Sequence, residues 1–277
     1  MFYVIKQNCP ISKVSLPLYE EVLKLKMDLM NSMNSRRTVR AYSDQPLDDS
    51  MLNTIFQTAC RASNTGNMQA YSVIVTRDVE RKRILAPLHF NQQQIVQAPV
   101  VLTFCVDFNR FGKWCSQRNA QPGFANLQAL TYAAIDTVIL AQAFCDAAEA
   151  LGLGICYMGT TTYNAEQISE VLALPELVLP ITTISVGYPQ NPSSGPLSDR
   201  LPVDGILHQE TYQDYSEQDI NRVYAHKESL PENQHFVELN KKETLAQIFT
   251  DIRYTKNDNE HFSDAFLKAI RKQGFVI

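Results

Sequence analysis

The fold of this chain is decided by residues 124–160, FANLQALTYAAIDTVILAQAFCDAAEALGLGICYMGT. Apolar residues recur there in steps of three and four, as on one face of an α-helix, at Leu127, Leu130, Ala134, Val138, Ala141 and Cys145. The opposite positions are also mostly apolar or small, so we predict a helix that is covered on most of its sides. Polar residues such as Asp136 interrupt the run too often for a membrane span. We interpret it as a core helix, or as one shared with a second subunit.

Two glycines, Gly152 and Gly154, mark the end of this helix, because glycine adopts the left-handed C-cap conformation without a Cβ clash. Residues 155–158 then form a short apolar run typical of a buried strand, followed by a turn. Three further strands are predicted, at Tyr71–Thr76, Val100–Val106 and Ile181–Val186. Six or seven helices alternate loosely with these four strands, and that order predicts a layered α/β or α+β domain. Asn164 and Ser216 are predicted to cap two of these helices, and residues 107–123 are predicted to be irregular.

Composition limits the class of protein. The chain has 277 residues, and its charged share of 19% lies below the roughly 25% of typical soluble domains. This agrees with a large core or an apolar subunit interface. The formal net charge of -4 does not imply a nucleic-acid partner. We predict a single domain over residues 1–277, with a helical extension at 1–32 and a polar excursion over about 205–277 that is too short for a core of its own.

The six cysteines are scattered, without a C-x-x-C pair or the spacing of a zinc site. This usage predicts a reducing compartment, and the first residues, MFYVIKQNCPISK, lack the apolar region of a signal peptide. We therefore expect a cytoplasmic protein without a bound metal. The five histidines are scattered too, and we expect most of them at the surface. The motifs of P-loops, serine hydrolases and zinc proteases are absent. A chain without an evident nucleophile or general base favours a cofactor that does the chemistry.

Basic residues cluster at one place, where Arg36, Arg37 and Arg40 surround Thr38. Guanidinium groups match phosphate oxygens with paired hydrogen bonds, so the segment is a candidate phosphate site. The alternative is a solvated basic turn that pairs with nearby aspartates. Arg200 lies in a Pro/Ser-rich loop, and its simplest interpretation is an exposed surface residue.

A polar loop at residues 63–69 follows a helix and precedes a strand, where open α/β sheets often bind ligands. Its hydroxyls and amides suit a planar polar ring or a ribityl chain, although an ordinary connection is the commoner case. The side chains of interest are Ser63, Asn64, Thr65, Asn67 and Gln69. The turn at Tyr157, Met158, Gly159 and Thr160 could offer backbone N–H groups to an anion or a ring carbonyl.

Together these motifs resemble the FMN-dependent nitroreductase and flavin reductase family, and most closely its NADPH-dependent, oxygen-insensitive branch. The resemblance covers about residues 33–202. Its most specific part is the E-[SA]-L-G-L-G-x-x-Y-[IM]-G signature, which stands here at residues 149–159. The family's R-[ST]-[IV]-R segment stands at residues 37–40, its polar loop ending in glutamine at 63–69, and its [KR]-x-R-L-P motif at 198–202.

The resemblance implies an α+β fold of the nitroreductase type. This is a three-layer α/β/α sandwich with a central mixed sheet and a long central helix at a homodimer interface. It implies FMN at that interface, held by residues of both chains, with the C-terminal excursion wrapping the partner subunit. The cofactor-binding residues it implies are Arg36, Arg37, Thr38, Arg40, Ser63, Asn64, Thr65, Asn67, Gln69, Gln92, Tyr157, Met158, Gly159, Thr160 and Arg200.

The activity implied by the resemblance is ping-pong hydride transfer. Hydride passes from NADPH or NADH to flavin N5, and then to a nitroaromatic, quinone or flavin acceptor, so that no side chain is itself catalytic. One alternative is a flavin-binding redox sensor or carrier without efficient turnover. Another is a thiol-based reductase that uses Cys115 or Cys105.

Three departures from the family pattern bear on these alternatives. Ser198 stands where the branch has lysine, so one phosphate contact is lost or is supplied by Arg36. Thr160 stands where the family has a second glycine, which would narrow the space over the flavin. The arginine that grips the NADPH phosphate in the branch has only Arg253 as a counterpart, which leaves the preference between NADPH and NADH open.

Overall fold

A computed structural model describes residues 29–191 and 197–277 of the chain. Four strands form the described sheet: β1 (Tyr71–Thr76), β2 (Val100–Asp107), β3 (Gly154–Met158) and β4 (Val178–Gly187). The helices that surround it are α1 (Asp49–Ala59), α2 (Val79–Leu88), α3 (Gln93–Gln97), α4 (Asn109–Ser116), α5 (Leu127–Ala150) and α6 (Ala165–Val171). The tail carries α7 (Glu217–Ser229), α8 (Pro231–Leu239), α9 (Leu245–Ile248) and α10 (Lys256–Lys272). Residues 29–35 are helical as well, and the rest of the predicted N-terminal helix lies outside the described residues.

The sheet has the strand order β1-β2-β4-β3, and its neighbouring strands pair antiparallel. β2 lies inside the sheet, and every one of its residues is buried, which explains why its sequence is almost entirely apolar. Thr38 adds a parallel bridge to Ile155 at the β3 edge. The sheet was predicted to be mixed. Among the described pairings, its four strands pair antiparallel, and the bridge between Thr38 and Ile155 is parallel.

Helices cover both faces of the sheet, as the sandwich prediction requires. On one face, α1 and α5 pack side chains such as Ile55 and Phe144 against Phe104 of β2. On the other face, α2, α3 and α6 bury Leu85, Ile95 and Ile168. Alternate residues of each strand thus enter two separate cores. The three-layer α/β/α arrangement is confirmed.

The central helix α5 begins where Asn126 accepts a hydrogen bond from the backbone N–H of Ala129, and it ends at Ala150, just before the predicted stop at Gly152. Among the described helices it is the one long and apolar enough to cross a membrane, yet one side of it is buried in the core. The prediction that it is covered on most sides is wrong for a single chain. Ile135 and Val138 are 55% and 46% exposed, because the sheet and α1 cover only one face of the helix.

Two other local predictions need correction. The region 107–123, predicted to be irregular, contains α4, whose N-cap position is held by Phe108, a residue type that does not signal a helix start. Asn164 precedes α6 as predicted, but its side chain does not cap that helix and instead donates to the carbonyl of Leu88 at 2.7 Å. The predicted helix start at Ser216 is confirmed, since Ser216 and Asp219 form a reciprocal capping box.

The last helix packs on its own chain. Phe262 of α10 stacks on Tyr163, just before α6, with ring centroids 4.1 Å apart. Near the end of α10, the Lys272 ammonium contacts the carboxylates of Glu166 and Glu170. The C-terminal excursion therefore returns to the α6 side of the sandwich.

Candidate functional site

The arginine-rich segment lies along the edge of the sheet. The backbone N–H of Val39 donates to the carbonyl of Ile155 in β3 at 2.9 Å. Gly154 makes this approach possible, since a Cβ there would lie 2.5 Å from the Val39 side chain. Two of the sequence motifs, residues 37–40 and the glycine-rich end of α5, are thereby brought together.

Arg36 is already paired within the chain. Its Nε lies 3.2 Å from Oε1 of Glu149, the last acidic residue of α5, whose side chain is only 10% exposed. Burial raises the pKa of Glu149, and the Arg36 guanidinium opposes that rise. The charge of Arg36 is thus used to compensate a buried carboxylate.

The other two arginines of the segment are differently placed. Nε of Arg37 is buried and has no hydrogen-bond partner among the described residues. Arg40 is exposed and lies close enough to Cys156 to oppose the rise in pKa that burial imposes on this thiol. A buried guanidinium nitrogen without a partner indicates a position for an acceptor that the protein itself does not supply.

Two glutamines lie beside the end of β3. Oε1 of Gln92 accepts from Nε2 of Gln94 at 3.0 Å. The same Nε2 lies 3.8 Å from the sulfurs of Cys156 and Met158. Gln92 is therefore linked through Gln94 to the end of β3, where the turn formed by residues 157–160 begins.

The turn after β3 is held by a residue that the sequence did not single out. Nδ1 of His89 lies 2.8 Å from Oγ1 of Thr160, and both residues are buried. His89 follows α2 directly, in a stretch whose polar character gave no sign of burial. Most histidines were expected at the surface, and only the tertiary structure distinguishes this one.

A cavity of about 560 Å³ opens beside this turn. Its walls come from the sandwich and from the tail: Phe90, Gly159, Thr160, Tyr163, Arg253, Tyr254, Asp258, Asn259 and Phe262. The Arg253 guanidinium lies over the rings of Phe236 and Phe249, 4.7 and 5.4 Å from their centroids. The tail thus adds a cation and aromatic surface next to Thr160.

The polar loop at 63–69 is anchored at a different place. Asp136, buried in the middle of α5, accepts from the backbone N–H of Thr65 at 2.9 Å and from its hydroxyl at 3.1 Å. Ser63, Asn67 and Gln69 are exposed. The contact with Asp136 therefore fixes the backbone of the loop, while the side chains of Ser63, Asn67 and Gln69 remain exposed to solvent.

The two groups of candidate residues do not meet within one chain. The loop is fixed at Asp136 and the arginine segment at Glu149, and at 1.5 Å per residue these positions are about 20 Å apart along α5. The helix surface around them is open and apolar, with Ile135, Val138 and Ile139 exposed.

Arg200 also stands apart from the other arginines in the described structure. Its guanidinium donates to the carbonyl of Asp199 at 2.8 Å, and Asp199 pairs with Lys227 at 2.7 Å. Residues 192–196, which lead into this segment, are not among those described.

Thiol or metal chemistry finds little support in the described residues. Cys105 is fully buried, and burial raises its thiol pKa far above the ordinary value, which disfavours the reactive thiolate. Cys115 is buried as well. Within 29–191 and 197–277 no cluster of three or more His, Cys, Asp or Glu residues could hold a metal ion.

Comparison with known sequences identifies relatives of one kind. The profile of the Nitroreductase family matches residues 33–188. An FMN reductase [NAD(P)H] of Bacillus subtilis (strain 168) is 32% identical over 207 residues, which are 74% of this chain and 82% of the relative. The oxygen-insensitive NADPH nitroreductase of Salmonella typhimurium is 34% identical over 187 residues, which are 67% of this chain and 75% of the relative.

Solved structures share the fold. A crystal structure from Bacteroides fragilis NCTC 9343 superposes with a TM-score of 0.87 at 56% identity, covering 90% of this chain and 100% of the other. The NfrA1 nitroreductase of B. subtilis gives 0.77 at 26% identity, with 89% and 98% covered. These similarities extend through the tail, beyond the segment that the family profile matches.

Proposed function

Because the chain belongs to the Nitroreductase family, we propose that it is an FMN-dependent NAD(P)H oxidoreductase of nitroreductase type. The observation that carries this proposal is the buried, unpartnered Nε of Arg37 beside β3. Relatives named FMN reductase and NADPH nitroreductase support the same conclusion. The chemistry that FMN would supply is two-electron transfer from NADPH or NADH to a nitroaromatic, quinone or flavin acceptor.

The residues present fit an anionic, planar cofactor. Arg37 and Arg40 have no carboxylate partner among the described residues, whereas Arg36 is neutralised by Glu149. We therefore assign the binding of negative charge to Arg37 and Arg40. Gln92 and the backbone N–H groups of residues 158–160 would orient a ring, and the loop at 63–69 would bind polar hydroxyls.

A homodimer would unite the separated halves of the site. The exposed apolar residues of α5 lie between the two halves, and burying them against a second copy removes them from water. The loop of one chain would then complete the site that the arginine segment of its partner begins. We also propose that the excursion over residues 205–277 reaches the partner, with α10 kept on its own chain.

Complementation between two variants tests the shared site. Arg37→Ala disables one half and Asn67→Ala the other, so chains refolded together regain about a quarter of the intact sites if each site uses both chains. Wild-type chains refolded in the same way serve as the control. Absence of any regained FMN binding or activity would contradict a shared site.

Ile139→Lys should produce monomers in light scattering.

An absorption spectrum tests the cofactor. We expect the purified protein to carry or take up FMN, with two visible bands that bleach on anaerobic addition of NADPH. A flavin that binds but does not bleach with NADPH or NADH would favour the alternative of a sensor or carrier. A colourless protein that takes up no added FMN would contradict the proposal altogether.

Arg40→Ala tests the anion site. We expect a loss of FMN affinity of about tenfold or more, because a charge-assisted hydrogen bond is removed. Arg36→Lys keeps the charge beside Glu149 and serves as the comparison variant, with FMN affinity near that of the wild type. Full flavin occupancy of Arg40→Ala on dilution would show that Arg40 does not bind the cofactor.

The cellular location proposed is the cytoplasm. The five described cysteines are all free, and four of them are buried. Free thiols in this number are typical of a reducing compartment.

A further inference from the structure

The His89–Thr160 pair has open hydrogen-bonding positions at both of its ends. Nδ1 of His89 lies 2.8 Å from the Thr160 hydroxyl oxygen. Nε2 of His89 is buried and has no partner among the described residues. The described residues also give the Thr160 hydroxyl no partner other than His89. Buried polar groups usually have their bonding capacity filled, so this pair needs an explanation.

A second buried pair in the same core layer provides a contrast. The hydroxyl of Tyr42 lies 2.8 Å from Oγ of Ser185, and it also contacts the carbonyls of Val39 and Ser185. That cluster is saturated by protein groups, as expected for a purely structural polar contact. The His89–Thr160 pair is not.

The state of the imidazole follows from its surroundings. Burial lowers the pKa of His89 to about 4, and no charged neighbour contributes to the shift. His89 is therefore neutral near pH 7 and carries one N–H. A proton on Nε2 would be a buried donor without an acceptor, which is costly, whereas a proton on Nδ1 is used in the bond to Thr160. The favoured tautomer donates from Nδ1.

That tautomer decides the direction of the Thr160 hydroxyl. Its oxygen accepts from His89, so its own hydrogen is free to point elsewhere. Thr160 follows Gly159 at the end of β3 and borders the 560 Å³ cavity. Because the neutral His89 donates to the Thr160 oxygen, the Thr160 hydroxyl can donate its own hydrogen to a molecule bound beside the turn.

We propose that His89 is a positioning residue, which makes the Thr160 hydroxyl a hydrogen-bond donor to a carbonyl oxygen of the flavin. This role rests on the proposed function. The ring carbonyls of FMN gain negative charge when the ring is reduced, and a fixed donor favours the form with more charge. The pair therefore raises the midpoint potential of the bound cofactor, and it binds the reduced form more tightly than the oxidised form.

Three threonine variants test the donor. Thr160→Val removes the hydroxyl at constant shape, and we expect the ratio of FMN affinities of the reduced and oxidised forms to fall about tenfold, which equals about 30 mV in midpoint potential. Thr160→Ser restores the hydroxyl and should restore the potential. Thr103→Val is the matched control, because it makes the same change at a buried position in β2 and should alter stability alone.

A double-variant cycle tests whether His89 acts through Thr160. His89→Ala should lower the potential in the wild type and have no further effect in the Thr160→Val background. An unchanged potential in Thr160→Val, or additive shifts in the double variant, would overturn the proposal. Since His89→Ala risks misfolding, ¹⁵N NMR of the histidine ring in the wild type without FMN provides a second measurement.

The NMR measurement does not depend on the cofactor. We expect a neutral ring with its proton on Nδ1 at pH 7 and no titration near the ordinary histidine pKa of about 6.5. A ring that titrates normally, or one protonated on Nε2, would overturn the role of His89 even if FMN binds. Failure of the wild type to bind FMN, with the NMR result as expected, would instead contradict the proposed function and with it the flavin as the target of Thr160.

Discussion

Two carboxylates of α5, the buried Asp136 and the partly buried Glu149, hold the two halves of the site by different means. Asp136 binds the backbone and hydroxyl of Thr65, which are neutral donors. Glu149 binds the guanidinium of Arg36, which is a charged one. The first contact fixes the conformation of a loop, and the second compensates a charge. The two contacts should therefore respond differently to substitution.

Loss of the charged partner should have the largest effect. Arg36→Ala leaves Glu149 buried without compensation, and we expect about 3 kcal/mol less free energy of unfolding, measured by urea denaturation at pH 7. The double variant Arg36→Ala, Glu149→Gln should recover most of this loss, because the uncompensated charge is gone. If Arg36→Ala is as stable as the wild type, water rather than Arg36 stabilises the charge of Glu149.

Loss of the neutral contact should cost less. Asp136→Ala removes the acceptor of two hydrogen bonds to Thr65, and we expect a loss of about 2 kcal/mol in the free energy of unfolding, with faster hydrogen exchange at the Thr65 amide. Thr65→Val keeps the backbone bond and should cost about half as much. An unchanged exchange rate in Asp136→Ala would mean that the loop is ordered by other contacts.

Acid should destabilise the protein through His89. Because the pKa of His89 is depressed to about 4 in the folded state, the unfolded chain binds the extra proton first as pH falls. We expect a loss of about 1.5 kcal/mol in the free energy of unfolding between pH 6.5 and pH 5 from this group. Glu149 acts in the opposite direction above its ordinary pKa, since its pKa is raised by burial.

The measurement is urea denaturation at a series of pH values. His89→Gln cannot titrate and should remove the acid-dependent loss, while its stability at pH 7 reports only the altered packing. A His89→Gln profile parallel to that of the wild type would show that other groups cause the acid sensitivity.

Exposed charges should matter least. Lys272 pairs with Glu166 and Glu170 on the surface, in contrast to the partly buried Arg36–Glu149 pair. Lys272→Ala should leave the urea midpoint within experimental error at physiological salt. A large destabilisation would mean that α10 is held to α6 mainly by charge rather than by the Phe262–Tyr163 stack.

Regular periodicity made most of the fold predictable. The strand at Tyr71–Thr76 was predicted with its observed limits, and the other three strands within three residues at either end. α4 was missed because Phe108, at its N-cap position, is not a residue type that marks a helix start. The open face of α5 could not be told from its buried face, since both are apolar and only packing decides which is covered.

The site was predictable where side chains carry a chemical signature and not where burial creates one. The resemblance to a known family implied that the arginine segment and the end of β3 both bind the cofactor, and the structure places these two segments side by side. Which arginines of the segment are available to bind an anion depends on Glu149, which pairs with Arg36 from 113 positions away in the sequence. The role of His89 depends on its burial and on Thr160, and neither follows from local sequence.

The polar loop has a consequence for the kinetics of binding. Gly66, Asn67 and Gln69 all have left-handed backbone conformations, with φ of 57°, 55° and 51°, and Asp136 holds Thr65 beside them. Ordering a residue costs roughly 1–2 kcal/mol in conformational entropy. In this loop the entropy is lost when the chain folds, so it does not weaken ligand binding. The loop needs no slow rearrangement, so we expect association with its ligand to be limited by encounter.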